Sequence, residues 1–155
     1  MDKEDKKFTL QMVNEWIRFC DSKAGIMLTL QSVILTIIFT LTSIPTPGYN
    51  PPFILFVLGL IIFGVSIVVG VNAILPRLEV GAPTSKIFFG HINSHDKAAD
   101  YVTEVKDGNY SFEEDVLTQV WANSRVAWEK YELVRTAMLW GVIGFALIGA
   151  AYILK

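Results

Sequence analysis

Three long apolar stretches constrain this chain more than any other feature of its sequence. Residues 26–44, 53–75 and 138–154 contain no Asp, Glu, Lys, Arg or His, and every charged side chain lies outside them. A helix rises about 1.5 Å per residue, so roughly 20 apolar residues cross a hydrocarbon core of about 30 Å. We therefore predict an all-α membrane protein with three transmembrane helices, an N-terminal amphipathic helix and a small helical cytoplasmic segment between spans two and three.

The polar segments between these stretches define the expected organisation. We predict an amphipathic helix over residues 1–24, a transmembrane hairpin over 25–75 with spans at about 26–44 and 53–75, a helical sensor segment over 76–136 and a third span over 137–155. An ordinary catalytic domain needs upwards of about 50–100 residues around one core. A sensor, scaffold or pore is therefore expected rather than an enzyme.

Charge and cysteine content narrow the partners and the topology. A net charge of −2 gives no basic surface for a nucleic-acid polymer, and the single Cys20 excludes an intramolecular disulfide. Apart from Lys155, every Lys and Arg precedes span one or lies between spans two and three. Because basic residues near short loops stay on the cytoplasmic side, the N-terminus is expected in the cytoplasm and the C-terminus outside.

Local sequence signals predict where the helices begin and end. The head helix is expected to run into span one, with Gly25 as a position for a bend, and the Pro-rich residues 45–52 to form a non-helical hairpin. Two brief helices are predicted over 85–91, with Thr84 as a cap, and over about 96–105. Ser111, three residues before a glutamate, resembles a capping box, and one unbroken helix is expected from it through span three.

Polar and small side chains inside the spans are candidates for a hydrated path or a helix interface. They are Gln31, Ser66, Gly70, Asn72, Ala146 and Ala150. Small residues spaced four apart allow helices to approach closely, either within one chain or between copies in an oligomer. A simple membrane anchor does not need the polar members of this set.

Three segments together resemble a known family. They are residues 16–25 before span one, residues 85–92 after span two and residues 127–137 at the start of span three. In order and position these segments are similar to the Pycsar transmembrane effector family, and the likeness covers nearly the whole chain. The resemblance implies a bacterial antiphage effector in the inner membrane. Such a protein responds to cyclic UMP or cyclic CMP from a partner pyrimidine nucleotide cyclase by impairing the membrane, without catalysis and without a cofactor.

A cyclic nucleotide presents one phosphate charge, ribose oxygens and a flat base, so its receptor needs cations, amides and aromatic walls. The chain carries these residue types near both membrane entrances. The candidate nucleotide-binding residues are Asn14, Trp16, Asp21, Lys23, Phe88, Phe89, Asn123, Arg125, Trp128 and Lys130. The alternative is structural: the aromatic residues form an interfacial belt or helix-packing core, and the basic residues lie at the lipid headgroups.

Two further expectations concern charge pairs and metals. Asp21 lies close to the apolar boundary, where a carboxylate needs a partner, and Lys130 occupies the equivalent position before span three. His91 and His95 are four residues apart, but no Cys or third His accompanies them, so no metal site is expected.

The leading hypothesis is a nucleotide-gated membrane effector that acts as a homo-oligomer, because three helices cannot enclose a wide aqueous pore. Its partners would be the cyclic nucleotide, the lipid bilayer and the cyclase. The alternative hypothesis is a membrane-anchored adaptor or scaffold protein without ligand gating.

Overall fold

The computed structural model describes residues 2–41, 43–76, 85–106 and 110–155, and the regular secondary structure in these residues is helical. The helices in these ranges are α1 (Lys3–Leu41), α2 (Pro51–Ile74), α3 (Phe89–Ile92), α4 (Ala98–Lys106) and α5 (Phe112–Ile153). Three of them, α1, α2 and α5, are long and apolar enough to cross a membrane. The prediction of an all-α membrane protein with three spans, the first near the N-terminus, is therefore confirmed.

Helix α1 joins the amphipathic head and the first span without a break, and it remains helical at Gly25. It ends at Leu41 rather than at residue 44, because Pro45 disfavours helical geometry in the residue before it. The expectation that Pro51 and Pro52 lie in a non-helical hairpin is wrong. Both begin α2, where a missing N–H has no consequence, and the Asn50 side chain accepts a hydrogen bond from Phe53 N at 2.9 Å.

The helices between spans two and three are shorter than expected at their N-terminal ends. Ser85 lies in a turn instead of a helix, because its Oγ accepts hydrogen bonds from the backbone N–H groups of Ile87 and Phe88. Thr84, the predicted cap, lies outside the described residues. Helix α5 begins after Ser111, whose Oγ accepts from Glu114 N at 3.4 Å, and its 42 residues span about 63 Å.

The chain divides into two compact units. The polar unit contains Met1–Arg18 and Pro76–Glu129, and the membrane unit contains Phe19–Leu75 and Lys130–Lys155. Helices α1 and α5 supply residues to both units, whereas α2 belongs to the membrane unit alone.

The membrane unit is a bundle of three helix segments packed through two apolar clusters. Ala24, Ala73 and Val134 form one cluster, and Ile38, Phe56, Ile148 and Ala151 form the other. Ala24 lies near the start of the α1 segment in this unit and packs with Ala73 at the end of α2, so these two helices are antiparallel. Helices α1 and α5 run in the same direction, because Ala24 packs with Val134 and the later Ile38 with the later Ile148.

Helices α2 and α5 touch at the backbone, which requires glycine. A Cβ atom on Gly144 would lie 2.7 Å from Phe63 N and 2.9 Å from the Gly59 carbonyl oxygen. Backbone atoms this close leave no side chain that can move aside. This contact fixes the register between the two helices more tightly than side-chain packing would.

The small residues predicted at helix interfaces occupy different environments. Ser66 and Gly70 are buried inside the bundle, and a Cβ on Gly70 would lie 2.6 Å from Met27 Cε. Ala146 is exposed and Ala150 is half-buried. Packing within one chain therefore accounts for the first pair of small residues, while Ala146 faces away from the bundle.

Candidate functional site

The ten residues predicted to bind a nucleotide are distributed over both units. Seven of them belong to the polar unit: Asn14, Trp16, Phe88, Phe89, Asn123, Arg125 and Trp128. The other three, Asp21, Lys23 and Lys130, belong to the membrane unit.

The predicted partners Asp21 and Lys130 form an ion pair in the membrane unit. Lys130 Nζ lies 2.5 Å from Asp21 Oδ1, and the lysine side chain is only 4% exposed. Lys23, by contrast, is exposed and lies 4.3 Å above the Phe19 ring in a cation–π contact. The charge of Lys130 is therefore already neutralised inside the protein, and a ligand would have to displace Asp21 to reach it.

In the polar unit, two predicted amides pair with each other rather than facing an open site. Asn123 Nδ2 donates to Asn14 Oδ1 at 2.8 Å, linking α5 to the head of α1. Arg125 stacks on Trp121 at 5.3 Å from the ring centroid. Trp16 and Trp128 are exposed, and the side chain of Phe89 lies outside the described part of the chain.

An open groove of about 890 Å³ lies between α3 and α4 in the polar unit. Its lining combines aromatic and imidazole rings, one ammonium group, one amide and small or aliphatic residues: Phe88, Gly90, His91, Ile92, Asn93, His95, Lys97, Ala98 and Tyr101. Its rings come in two pairs. Phe88 meets His91 edge-on at 5.2 Å, and His95 lies 5.7 Å from Tyr101.

Hydrogen bonds hold the chain that leads into this groove. Ser85 N donates to His91 Nδ1 at 2.8 Å, and Tyr101 Oη donates to the Lys86 carbonyl at 2.8 Å. Lys86 N in turn donates to Asp115 Oδ2 at 2.8 Å, which connects this segment to the first turn of α5. The groove is therefore built on a fixed backbone.

Among the predicted nucleotide-binding residues whose side chains are described, Phe88 is the one that lines this groove. Sequence reasoning missed Asn93, Lys97 and Tyr101. His91 and His95 were considered from the sequence only as possible metal ligands. A useful signal was present in the sequence, namely five ring side chains, an amide and a lysine within residues 88–101.

A buried polar contact connects the three helices in the membrane unit. Gln31 Nε2 donates to Ser66 Oγ, and Ser66 Oγ donates to the Ala137 carbonyl oxygen, both at 2.6 Å. The amide oxygen of the same side chain, Gln31 Oε1, is buried and has no hydrogen-bond partner among the described residues. Asn72 lies elsewhere: it is exposed and donates to Val68 O one turn earlier in its own helix.

Comparison with known proteins decides the family. The sequence profile of the Pycsar effector protein domain matches residues 6–155. The chain belongs to the Pycsar effector family. A relative within this family is the Pycsar effector protein PtPycTM from Propioniciclava tarda, which is 26% identical over 156 residues that cover 94% of this chain and 76% of the relative. No solved structure matches the chain.

Membership of the Pycsar effector family confirms the resemblance noted in the sequence and supports the coarse function drawn from it, an antiphage defence effector. Together with the three candidate spans, it makes this effector a multi-pass membrane protein. The matched region includes both the polar unit and the membrane unit.

The titratable side chains of this Pycsar effector form no metal site within the described residues, where no cluster of three or more His, Cys, Asp and Glu occurs. His91 Nδ1 accepts a hydrogen bond from Ser85 N, and His95 Nε2 lies 3.2 Å from Glu104 Oε2.

Two titratable side chains of the polar unit have shifted pKa values. Burial and a hydrogen bond to Asp115 raise the pKa of Tyr110 to about 12. A hydrogen bond from the Lys6 side chain lowers the pKa of Glu113.

Proposed function

We propose that this Pycsar effector binds a cyclic pyrimidine nucleotide, cyclic UMP or cyclic CMP, and then impairs the bacterial inner membrane. The nucleotide would come from a partner pyrimidine nucleotide cyclase, and the effector itself would act without catalysis or a cofactor. The observation that carries this proposal is the family match over residues 6–155, which covers a polar unit and a membrane unit in one chain.

The helix arrangement supports a direct route from ligand to membrane. Helices α1 and α5 are each unbroken and contribute to both units, so a displacement of either helix in the polar unit extends into its apolar segment. The distribution of Lys and Arg supports a cytoplasmic polar unit, where a second messenger is available. We further propose homo-oligomers, because one bundle of three helices is too small to enclose a wide aqueous pore.

The test measures membrane potential in bacteria that express this protein, with a voltage-sensitive dye. Three conditions are compared: no cyclase, an active pyrimidine cyclase and a cyclase whose catalytic residues have been replaced. We expect depolarisation with the active cyclase alone. A membrane that stays polarised in all three conditions, with the protein inserted, would favour the adaptor hypothesis instead.

A further inference from the structure

We infer that the groove between α3 and α4 is the nucleotide site, and that Lys97 and His91 bind the cyclic phosphate while Tyr101 and Phe88 contact the pyrimidine base. This inference rests on the proposed function, because it takes the ligand class from it. This site differs from the one expected from the sequence. It lies within residues 88–101, and most of the ten predicted nucleotide-binding residues lie outside it.

Shape and ring content favour a flat, monomeric ligand. The groove volume of about 890 Å³ lies within the roughly 300–1,000 Å³ of small-molecule sites. Phe88 and Tyr101 supply π-faces or edges on which a base can rest, and such contacts accept any base. Asn93 adds a donor and an acceptor in one side chain, which is what the edge of uracil or cytosine requires.

The groove is lined by a cation, Lys97, while one of its histidines, His95, contacts the carboxylate of Glu104. The chain as a whole carries a net charge of −2. The described residues that line the groove nevertheless include Lys97 and no Asp or Glu. Lys97 is exposed and makes no ion pair among the described residues. A single ammonium group suits the single negative charge of a cyclic phosphate diester.

His91 is oriented to act as a hydrogen-bond donor. Because Nδ1 accepts the hydrogen bond from Ser85 N, the proton of the neutral ring lies on Nε2. The ring lines the groove, so Nε2–H is the polar group of this residue that remains for a phosphate oxygen.

The other candidate cations are already engaged. Lys130 pairs with Asp21, Lys23 lies over the Phe19 ring, and Arg125 lies over the Trp121 ring. A phosphate at Lys130 would have to break the ion pair with Asp21. At Lys97 it would add a contact without removing one between described residues.

Two hydrogen bonds connect the groove with α5 within the polar unit. Tyr101 Oη donates a hydrogen bond to the Lys86 carbonyl oxygen. Lys86 N donates a hydrogen bond to the carboxylate of Asp115 in the first turn of α5. A ligand that moves Tyr101 therefore acts on α5 through two hydrogen bonds. The same helix continues as the third span.

Isothermal titration calorimetry on the full-length protein in detergent micelles tests the assignment. The probes are cyclic UMP, cyclic CMP and the uncyclised 5′-UMP and 5′-CMP. We expect Lys97→Ala to weaken binding of the preferred cyclic nucleotide at least about tenfold, since a charge-assisted hydrogen bond is lost. Lys106→Ala, which removes an exposed lysine of α4 outside the groove, should leave the affinity unchanged.

Asn93→Ala provides a second, exposed substitution, and circular dichroism with gel filtration checks that each variant folds. If the wild type binds cyclic UMP or cyclic CMP while Lys97→Ala and Asn93→Ala bind equally well, the groove is not the site, although the proposed function stands. If the wild type binds neither, the proposed function fails together with the inference. Equal affinity for uncyclised nucleotides would also overturn the assignment to a cyclic phosphate.

Discussion

Lys130 Nζ on α5 and Asp21 Oδ1 on α1 lie 2.5 Å apart, and the lysine is almost completely buried. A buried ammonium group depends on its partner, because the protein interior solvates an isolated charge poorly. Asp21 is about one-third exposed, so water moderates the pair on that side. The ion pair ties two helices of the membrane unit together at their polar ends.

Replacing Asp21 should destabilise the membrane unit. Asp21→Asn keeps the shape of the side chain but leaves the charge of Lys130 uncompensated, so we expect unfolding to become easier by roughly 1–3 kcal/mol. Thermal unfolding of the purified protein in detergent measures this change. Glu132→Gln is the control, because Glu132 pairs with Arg135 only on the surface, at 3.6 Å. Equal stability of both variants would show that the buried pair contributes nothing.

A methyl group on Gly144 should separate α2 from α5. In Gly144→Ala the new Cβ meets the backbone of Phe63 and Gly59, which cannot rotate away, so we expect a loss of about 1–3 kcal/mol. Gly149→Ala on the same helix meets nothing within 4 Å and should be neutral or stabilising by up to about 1 kcal/mol. Unfolding in a denaturing detergent compares the two variants. Similar stabilities would mean that the helices are not in backbone contact.

The buried amide of Gln31 should matter for activity more than for stability. Gln31→Leu removes an oxygen that has no hydrogen-bond partner among the described residues, but also the bond from Nε2 to Ser66 Oγ, so we expect stability to change by no more than about 1 kcal/mol. If the polar contact with Ser66 supports membrane damage, the same variant should lose cyclase-dependent depolarisation. Asn72→Leu should keep it, because the hydrogen bond of Asn72 within the described residues goes to Val68 O in its own helix. Depolarisation that persists in inserted Gln31→Leu protein would remove this contact from the mechanism.

Ionisation of Tyr110 should destabilise the polar unit at high pH. Its pKa is raised from 10 to about 12, first by burial and then by the hydrogen bond to Asp115. A raised pKa means that the folded state holds the proton more tightly than the unfolded state. The stabilisation is complete below about pH 10 and is lost as the pH rises through about 12. Phenolate absorbance of the wild type minus Tyr110→Phe measures the shift, with Tyr49→Phe, which removes a fully exposed phenol, as the control. Titration of Tyr110 near pH 10 would contradict the prediction.

Helix boundaries illustrate where sequence patterns suffice. Ser111 acts within one turn of its own helix, so local chemistry was enough to predict this cap, whereas the equally local cap at Asn50 was missed. Pro51 and Pro52 were harder to interpret, because proline is compatible both with a turn and with the first turn of a helix. The choice depended on the Asn50 side chain, which caps the helix.

Contacts between residues far apart in the sequence were predicted only in part. The Asp21–Lys130 pair followed from the cost of charge near an apolar boundary, even though 109 positions separate the two residues. The contact between Asn14 and Asn123 and the groove at Lys97 and Tyr101 did not follow from the sequence. Periodicity assigns a residue to a face of its helix, but it does not identify the side chain that this face meets.

Sequence alone is sufficient to predict that this chain is helical, that three of its helices are long and apolar enough to cross a membrane, and that it belongs to the Pycsar effector family. Apolar length, missing charges and local caps act over short distances along the chain, so a sequence pattern is enough to recognise them. The folded structure is needed to see which polar groups are already paired, where backbones touch at Gly59 and Gly144, and where a groove remains open. These features depend on register between distant segments, which is set by the sum of many weak packing contacts rather than by any single motif.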